Sequence, residues 1–233
     1  PVSEEKLDQM FIEDKAIISS GKIEDLLNLD DKELVKVVGS EEIDLNIKNM
    51  IFDLKYHSQH DPLTGLLNRR EMKSRVNKLL ENGDVEGTFI IIDVDNFKKI
   101  NDVQGHVKGD EILKKIAESL RKSFLEIDDI SRIGGDEFVV FVQNFSSAEW
   151  LKRKLNGLNE ILIEELKSEG KACKISASIG AAVYPKTAAL YENMFEKADK
   201  ELYKVKRSGR NGNSIFIYKE KEKQEIISRD NLR

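Results

Sequence analysis

The sequence predicts an α/β (α+β) fold, in which a β-α-β-β-α-β domain on a mainly antiparallel sheet follows a helical N-terminal segment. Three observations predict it. Apolar runs of strand length, such as 88-TFIIID-93 and 138-FVVFV-142, alternate with longer stretches whose apolar residues recur at helical spacing. Asp-Pro, Gly-Gly and Gly-Ser punctuation separates them. The charge is also divided: residues 1–60 hold 14 acids and 7 bases, whereas 61–233 hold 29 and 31. Two units with different roles are therefore expected.

Residues 1–57 read as a helical connector or regulatory segment. Leu26, Leu29, Leu34 and Val38 recur at helical spacing, as do Ile43, Ile47, Ile51 and Leu54. Gly21 and Gly39-Ser40 cut it into about three pieces. His57 and His60 lack acidic or cysteine partners nearby and read as structural. The stretch 61-DPLTGLLNRREM-72 marks the boundary, and Asn68 followed by Glu71 is a capping box for a helix over roughly 69–82. The main domain then runs over 58–218. It opens with strand 88–93, followed by a loop and helix over 96–124, strands 129–133 and 138–143, and a helix over 147–168. Strand 172–184, a helix over 188–207 and strand 213–218 complete it. This is the split β-α-β-β-α-β order with one added helix and one edge strand, and helices are expected over one face of the sheet. Residues 219–233 form a charged tail.

Four clusters carry chemistry. In 89-FIIIDVDNFKKIND-102, alternation along a strand points Asp93 and Asp95 the same way. Paired carboxylates at a strand end suit a hard divalent cation; more simply, Asp93 closes the strand and Asp95 caps the helix at 96. In 105-GHVKGDEIL-113, a helix start with free N–H groups could join Asn101, His106 and Asp110 around a small polar ligand. The simpler reading makes Asp110 the N-cap of a helix over 111–124. In 131-SRIGGDEFVVFV-142 the glycines make a hairpin turn whose tip carries Asp136 and Glu137. In 204-KVKRSGRNG-212, Lys206 and Arg210 stand four apart at a helix end, placed for the helix dipole or for a triphosphate. Together they form the inventory for metal-dependent chemistry on a nucleoside triphosphate.

Composition narrows the class. The chain has 233 residues, 39% hydrophobic and 35% charged, and none of its apolar runs approaches the ~20 residues of a membrane span. Its single cysteine, Cys173, reads as a small buried hydrophobe, so a reducing, cytoplasmic setting is expected. Neither half is basic enough for nucleic acid to be the main ligand. The chain opens on Pro1 without a signal-peptide pattern, and an upstream sensor or membrane-attached region is compatible with that start.

In this order, DPLTGLLNRR, IDVDNFKKIND, GHVKGD, RIGGDEF and KVKRSGRN resemble the GGDEF-domain diguanylate cyclases over about residues 58–218. The resemblance implies a nucleotidyl-cyclase and polymerase-palm type of fold. It implies condensation of two GTP into cyclic di-GMP with release of two pyrophosphates, in a homodimer and with Mg²⁺ or Mn²⁺. It places Asp93 and the Val94 carbonyl on the metal. Asp136 matches the second carboxylate, which bridges metals and is one candidate to accept the 3′-hydroxyl proton; Glu137 is the other candidate for that proton. Asn101 and Asp110 match guanine-reading positions, with His106 beside them. Lys98, Lys206 and Arg210 match phosphate contacts, and Gly134 and Gly135 leave room for the nucleotide. One departure stands out: in 125-LEID-128, Leu125 replaces the arginine of the family's Arg-x-x-Asp product-inhibition site while Asp128 remains. Leucine offers no bidentate contact, so weak or absent product inhibition is expected. A catalytically silent GTP- or cyclic di-GMP-binding module is the alternative, and a palm-type polymerase or nuclease a more distant one.

Overall fold

The computed structural model describes residues 45–81, 87–143, 147–166, 175–184 and 191–217. The expected helices before residue 45, Cys173 and the 219–233 tail lie outside the described residues. The chain divides into two units, Pro1–Gln59 and His60–Arg233. In the first, helix α1 (Leu45–Gln59) is described; it leaves Met50 and Tyr56 exposed and buries Ile51. No described helix is long and apolar enough to cross a membrane.

The second unit holds strands β1 (Leu67–Asn68), β2 (Gly87–Val94), β3 (Asp129–Gly134), β4 (Glu137–Gln143), β5 (Ala177–Tyr184) and β6 (Gly212–Ile217). Its helices are α2 (Arg69–Glu81), α3 (Phe97–Gln104), α4 (His106–Ser123), α5 (Ala148–Leu166) and α6 (Tyr191–Arg207). The sheet order is β1-β3-β4-β2-β5-β6. The inner four strands pair antiparallel, and β1 and β6 add parallel at the two edges. The two-residue β1 is too short to leave a periodic trace in the sequence.

The helices cover both faces, not the one face expected. Ile90, Ile92 and Val94 point into a core with Ile100 of α3, Ile112 and Ile116 of α4 and Leu155 of α5. Phe89 and Ile91 point the other way, into Met72 and Val76 of α2 and Met194 and Leu202 of α6. The signal was present: β2 is apolar without alternation, which marks a strand buried on both faces.

Further expectations change along the helices. The helix over 96–124 is two helices, because Gly105 at φ 84° breaks it. Asp110 therefore lies inside α4 and does not cap it. Asp95 caps nothing either; Asn96 stands at the start of α3 with φ 60° and makes no side-chain cap bond. The capping box at Asn68 and Glu71 shares its glutamate with an arginine. The Glu71 N–H donates to Asn68 Oδ1 at 2.9 Å, but the Glu71 carboxylate turns to Arg75 Nε at 2.9 Å.

Gly180 sets how closely α6 approaches the sheet. A Cβ there would lie 2.2 Å from the Ala198 carbonyl oxygen and 2.3 Å from the Leu202 nitrogen, both helix backbone. Backbone cannot swing aside as a side chain can, so Gly180→Ala must lift α6, which also carries Lys206. Chemical denaturation is expected to show a loss of about 2–3 kcal/mol.

Candidate active site

β2 ends in a pocket of like charges. Asp93 pairs in register with Glu137, and the Val94 N–H donates to the Asp136 carbonyl at 3.2 Å. The strand end and the hairpin tip are thereby joined through backbone, and three carboxyl groups gather at the joint. Gly134 and Gly135 turn the tip at φ 154° and 46°, the second in the left-handed region that favours glycine. Asp93 is only 9% exposed. Lys206 reaches it from the last turn of α6, Nζ to Oδ2 at 2.7 Å. Burial pushes Asp93 up to about 6, with Asp136 and Glu137 adding to the rise and Lys206 opposing it. Even with its lysine, Asp93 is a carboxyl held against its preference to ionise.

Asp95, two residues on, has a different role. Its carboxylate is buried and accepts hydrogen bonds from Ser176 Oγ at 2.6 Å, Ser178 Oγ at 2.7 Å and the Asn211 N–H at 3.0 Å. Arg210 Nε stands 4.0 Å away. Asp95 thus fastens the end of β2 to β5 and to the turn between α6 and β6. It is a fully satisfied anchor, whereas Asp93 remains open toward the hairpin.

Arg132 organises the tip from behind. Its Nε and one terminal nitrogen donate to the Gly135 carbonyl at 3.0 and 2.8 Å, and the other terminal nitrogen reaches both Asp61 oxygens at 3.2 Å. Asp61 also accepts from the Thr64 N–H and hydroxyl at 2.9 and 2.7 Å. Burial would raise the Asp61 carboxyl, but the Thr64 donors and Arg132 outweigh it and hold Asp61 below its ordinary value. The turn that opens the domain and the hairpin tip are one hydrogen-bonded body.

The remaining residues group around the crease between α3 and α4. The Asn101 amide is packed against Gly109, and its Oδ1 is buried without a partner. His106 and Asp110 are exposed on α4, and Lys98 is exposed on α3. At the product-inhibition position, Leu125 is 68% exposed and Asp128 is buried. The Asp128 oxygens are taken by the Leu125 N–H at 2.9 Å and the Gln143 N–H at 3.2 Å, which ties the β3 approach to the end of β4. Sequence reasoning missed Asp61 and Arg132, and it singled out Asp95 as a metal carboxylate or helix cap where the structure makes it an anchor. Arg132 sits two residues before the glycines, and Asp61 was legible only as turn punctuation.

Could these residues hold a divalent cation? Among the described residues no three acidic, histidine or cysteine side chains form a cage. Mg²⁺ does not require one, since it is bound through one or two carboxylates and completes its shell with water and substrate phosphate. Asp93, raised first by burial and further by Asp136 and Glu137 beside it, supplies hard oxygen donors, and a cation would relieve both the burial of charge and the repulsion. The donor set fits.

The raised Asp93 also has a stability consequence. A carboxyl whose folded value lies above its unfolded 3.8 stabilises the fold below that pH and loses the contribution as pH rises through about 6. Above that, its ionisation costs about 3 kcal/mol. In divalent-free buffer, Asp93→Asn is expected to raise the unfolding free energy at pH 7.5 by up to about that amount. The gain should shrink toward zero at pH 4, as measured by denaturant melts across pH.

Comparison with known proteins places this geometry. The family model described as "Diguanylate cyclase, GGDEF domain" matches residues 58–212. The diguanylate cyclase DgcS of Shewanella oneidensis is 38% identical over 166 residues, covering 68% of this chain and 53% of DgcS. The diguanylate cyclase DosC of Escherichia coli is 37% identical over 155 residues, covering 65% of this chain and 34% of DosC. The chain therefore spans between about a third and a half of the length of these two relatives. Among solved structures, the isolated GGDEF domain of TpbB from Pseudomonas aeruginosa is 30% identical with a TM-score of 0.58, covering 72% of this chain and 99% of that domain. The GGDEF domain of DgcB from Caulobacter crescentus, solved with cyclic di-GMP, shares the fold at a TM-score of 0.61 and 23% identity, over 69% of this chain and 95% of that one. With its hairpin carboxylates set against the end of β2 and its motifs matched over most of its length, this chain belongs to the GGDEF family of diguanylate cyclase domains.

Proposed function

We propose that the chain is an active diguanylate cyclase. Two GTP, one in each of two facing domains, condense to cyclic di-GMP in a Mg²⁺- or Mn²⁺-dependent reaction. The observation that carries this reading is the meeting of Asp93, Asp136 and Glu137 at one strand–hairpin joint, with Lys206 at its rim. In each half-reaction the 3′-oxygen of one GTP bonds to the α-phosphorus of the other. The bond to the β-phosphate bridge breaks and pyrophosphate leaves; the hydroxyl proton passes to a carboxylate at the hairpin tip, Asp136 or Glu137. When bound, the metal polarises the α-phosphate and lowers the pKa of the attacking hydroxyl.

The chain's own residues supply the rest. Lys206 pairs with Asp93 and can turn to phosphate oxygens when a cation takes its place there. Arg210, half exposed beside Asp95, offers a planar fork to the outer phosphates, and Lys98 a further point charge. Asn101 and Asp110 accept hydrogen bonds from the guanine edge, with His106 beside them. The Arg132 tie keeps the Gly-Gly tip in the shape that leaves the nucleotide room. Residues 1–57 set how two copies meet, and so set the rate.

The full chain with GTP and Mg²⁺ is expected to yield cyclic di-GMP and two pyrophosphates. Asp136→Asn and Glu137→Gln separate ligand from base. The variant that loses metal affinity marks the ligand, and the one that keeps metal but loses about 10²–10⁴-fold in turnover marks the base. A demonstrably dimeric protein that binds GTP and leaves it unconverted would favour the silent-module reading instead. Product titration is a separate check. With Leu125 in place of arginine and Asp128 engaged by backbone, added cyclic di-GMP should not inhibit non-competitively. Potent non-competitive inhibition that disappears in Asp128→Ala would contradict this account.

A further inference from the structure

Two polar atoms on α3 are buried with nothing to bond: Asn101 Oδ1, an acceptor, and Gln104 Nε2, a donor. Buried polar groups are nearly always partnered, so an orphaned acceptor and donor together mark a place where an outside group is wanted. The two residues stand three apart on one helix and so share a face. At Asn101 that face meets α4, because a Cβ added to Gly109 would lie 1.9 Å from Asn101 Oδ1 and 3.1 Å from Phe97 Cζ. The crease exists because Gly105, at φ 84°, ends one helix and starts the next without a long connection. Asp110, the residue after Gly109, adds a carboxylate on α4.

The two orphaned atoms, taken with the Asp110 carboxylate, set two accepting groups and one donor along the crease. A guanine edge runs N2 amino, N1–H, O6: two donors and one acceptor. Adenine offers one donor and one acceptor and leaves part of the set unmatched. The resemblance to known cyclases places Asn101 and Asp110 at guanine-reading positions and gives Gln104 no role, although its Nε2 is the orphaned donor on the same helix face. We infer that Gln104 is a specificity-determining residue of the nucleotide site, its Nε2 donating to O6 of the guanine that Asn101 and Asp110 hold. This inference rests on the GTP reading given under the proposed function. The competing account is that the Asn101 and Gln104 amides serve only each other after a change of rotamer, in which case Gln104 has no part in choosing the base.

The test is equilibrium binding to the full chain, by competition against a fluorescent GTP analogue, with Ca²⁺ in place of Mg²⁺ to slow turnover. The competitors are GTP, 6-thio-GTP (sulfur for O6, a poor acceptor) and ITP (no 2-amino group). Wild type should bind 6-thio-GTP about tenfold more weakly than GTP, the size of one good hydrogen bond. Gln104→Met, close in volume and without the donor, should weaken GTP by about that factor and bring the GTP to 6-thio-GTP ratio near one. The ITP penalty belongs to the acceptors and should be the same in both proteins. Gln104→Glu, which sets an acceptor against O6, should weaken GTP further, with thermal melts confirming that both variants fold. A GTP to 6-thio-GTP ratio unchanged in Gln104→Met overturns this inference and leaves the GTP reading standing. Wild type that binds no GTP removes both.

Discussion

The structure turns on one unfavourable act: placing a buried carboxyl at the end of a central strand, opposite two more. Most of the unit can be understood as the means of holding it there. β2 is gripped by β4 on one side and β5 on the other and sandwiched between two hydrophobic cores, so its end cannot swing out to water. Lys206 offsets part of the charge, and it can do so only because Gly180 lets α6 lie close on the sheet. What remains uncompensated at Asp93 is a buried carboxyl whose ionisation burial and its two like-charged neighbours oppose. On the proposed reading, that charge is what a cation arriving with the substrate would relieve.

Asp95 shows the opposite use of the same chemistry. It is more deeply buried than Asp93, yet two serine hydroxyls and a backbone N–H satisfy it. A carboxylate with several donors is a rigid junction, while one with a single lysine and two like-charged neighbours is a reactive one. Two aspartates a residue apart thus differ in kind, one fixing the end of β2 in place and the other left with its charge largely unmet.

The sequence made much of this legible where the signal was local. Strand runs, the Gly-Gly hairpin and the break before Arg69 lie in contiguous residues, and the element order follows from them. The two-sided burial of β2 was also written in its unbroken apolar run, but the expectation of one covered face came from the fold class and overrode it. The partners of Asp95 were not legible at all. Strand alternation says which way a side chain leaves the backbone but not what meets it, and Ser176 and Ser178 arrive from 81 and 83 residues away. The Asp93–Lys206 contact spans 113 residues and was visible only as two separate motifs. Gln104 was passed over because a single amide in a polar helix carries no pattern; its lack of a partner becomes visible only once the helices are packed.

The Arg132 bridge gives the beginning of the domain an unusual status. Asp61 lies 71 residues before Arg132 in the chain, yet the two share a guanidinium that also grips Gly135 at the hairpin tip. The first turn is therefore a wall of the hairpin as much as a lead-in to the fold. A shift of the backbone at Asp61 reaches Gly135 through a single side chain, that of Arg132. Trimming, fusing or pulling the chain at this point therefore acts on a contact of the tip itself.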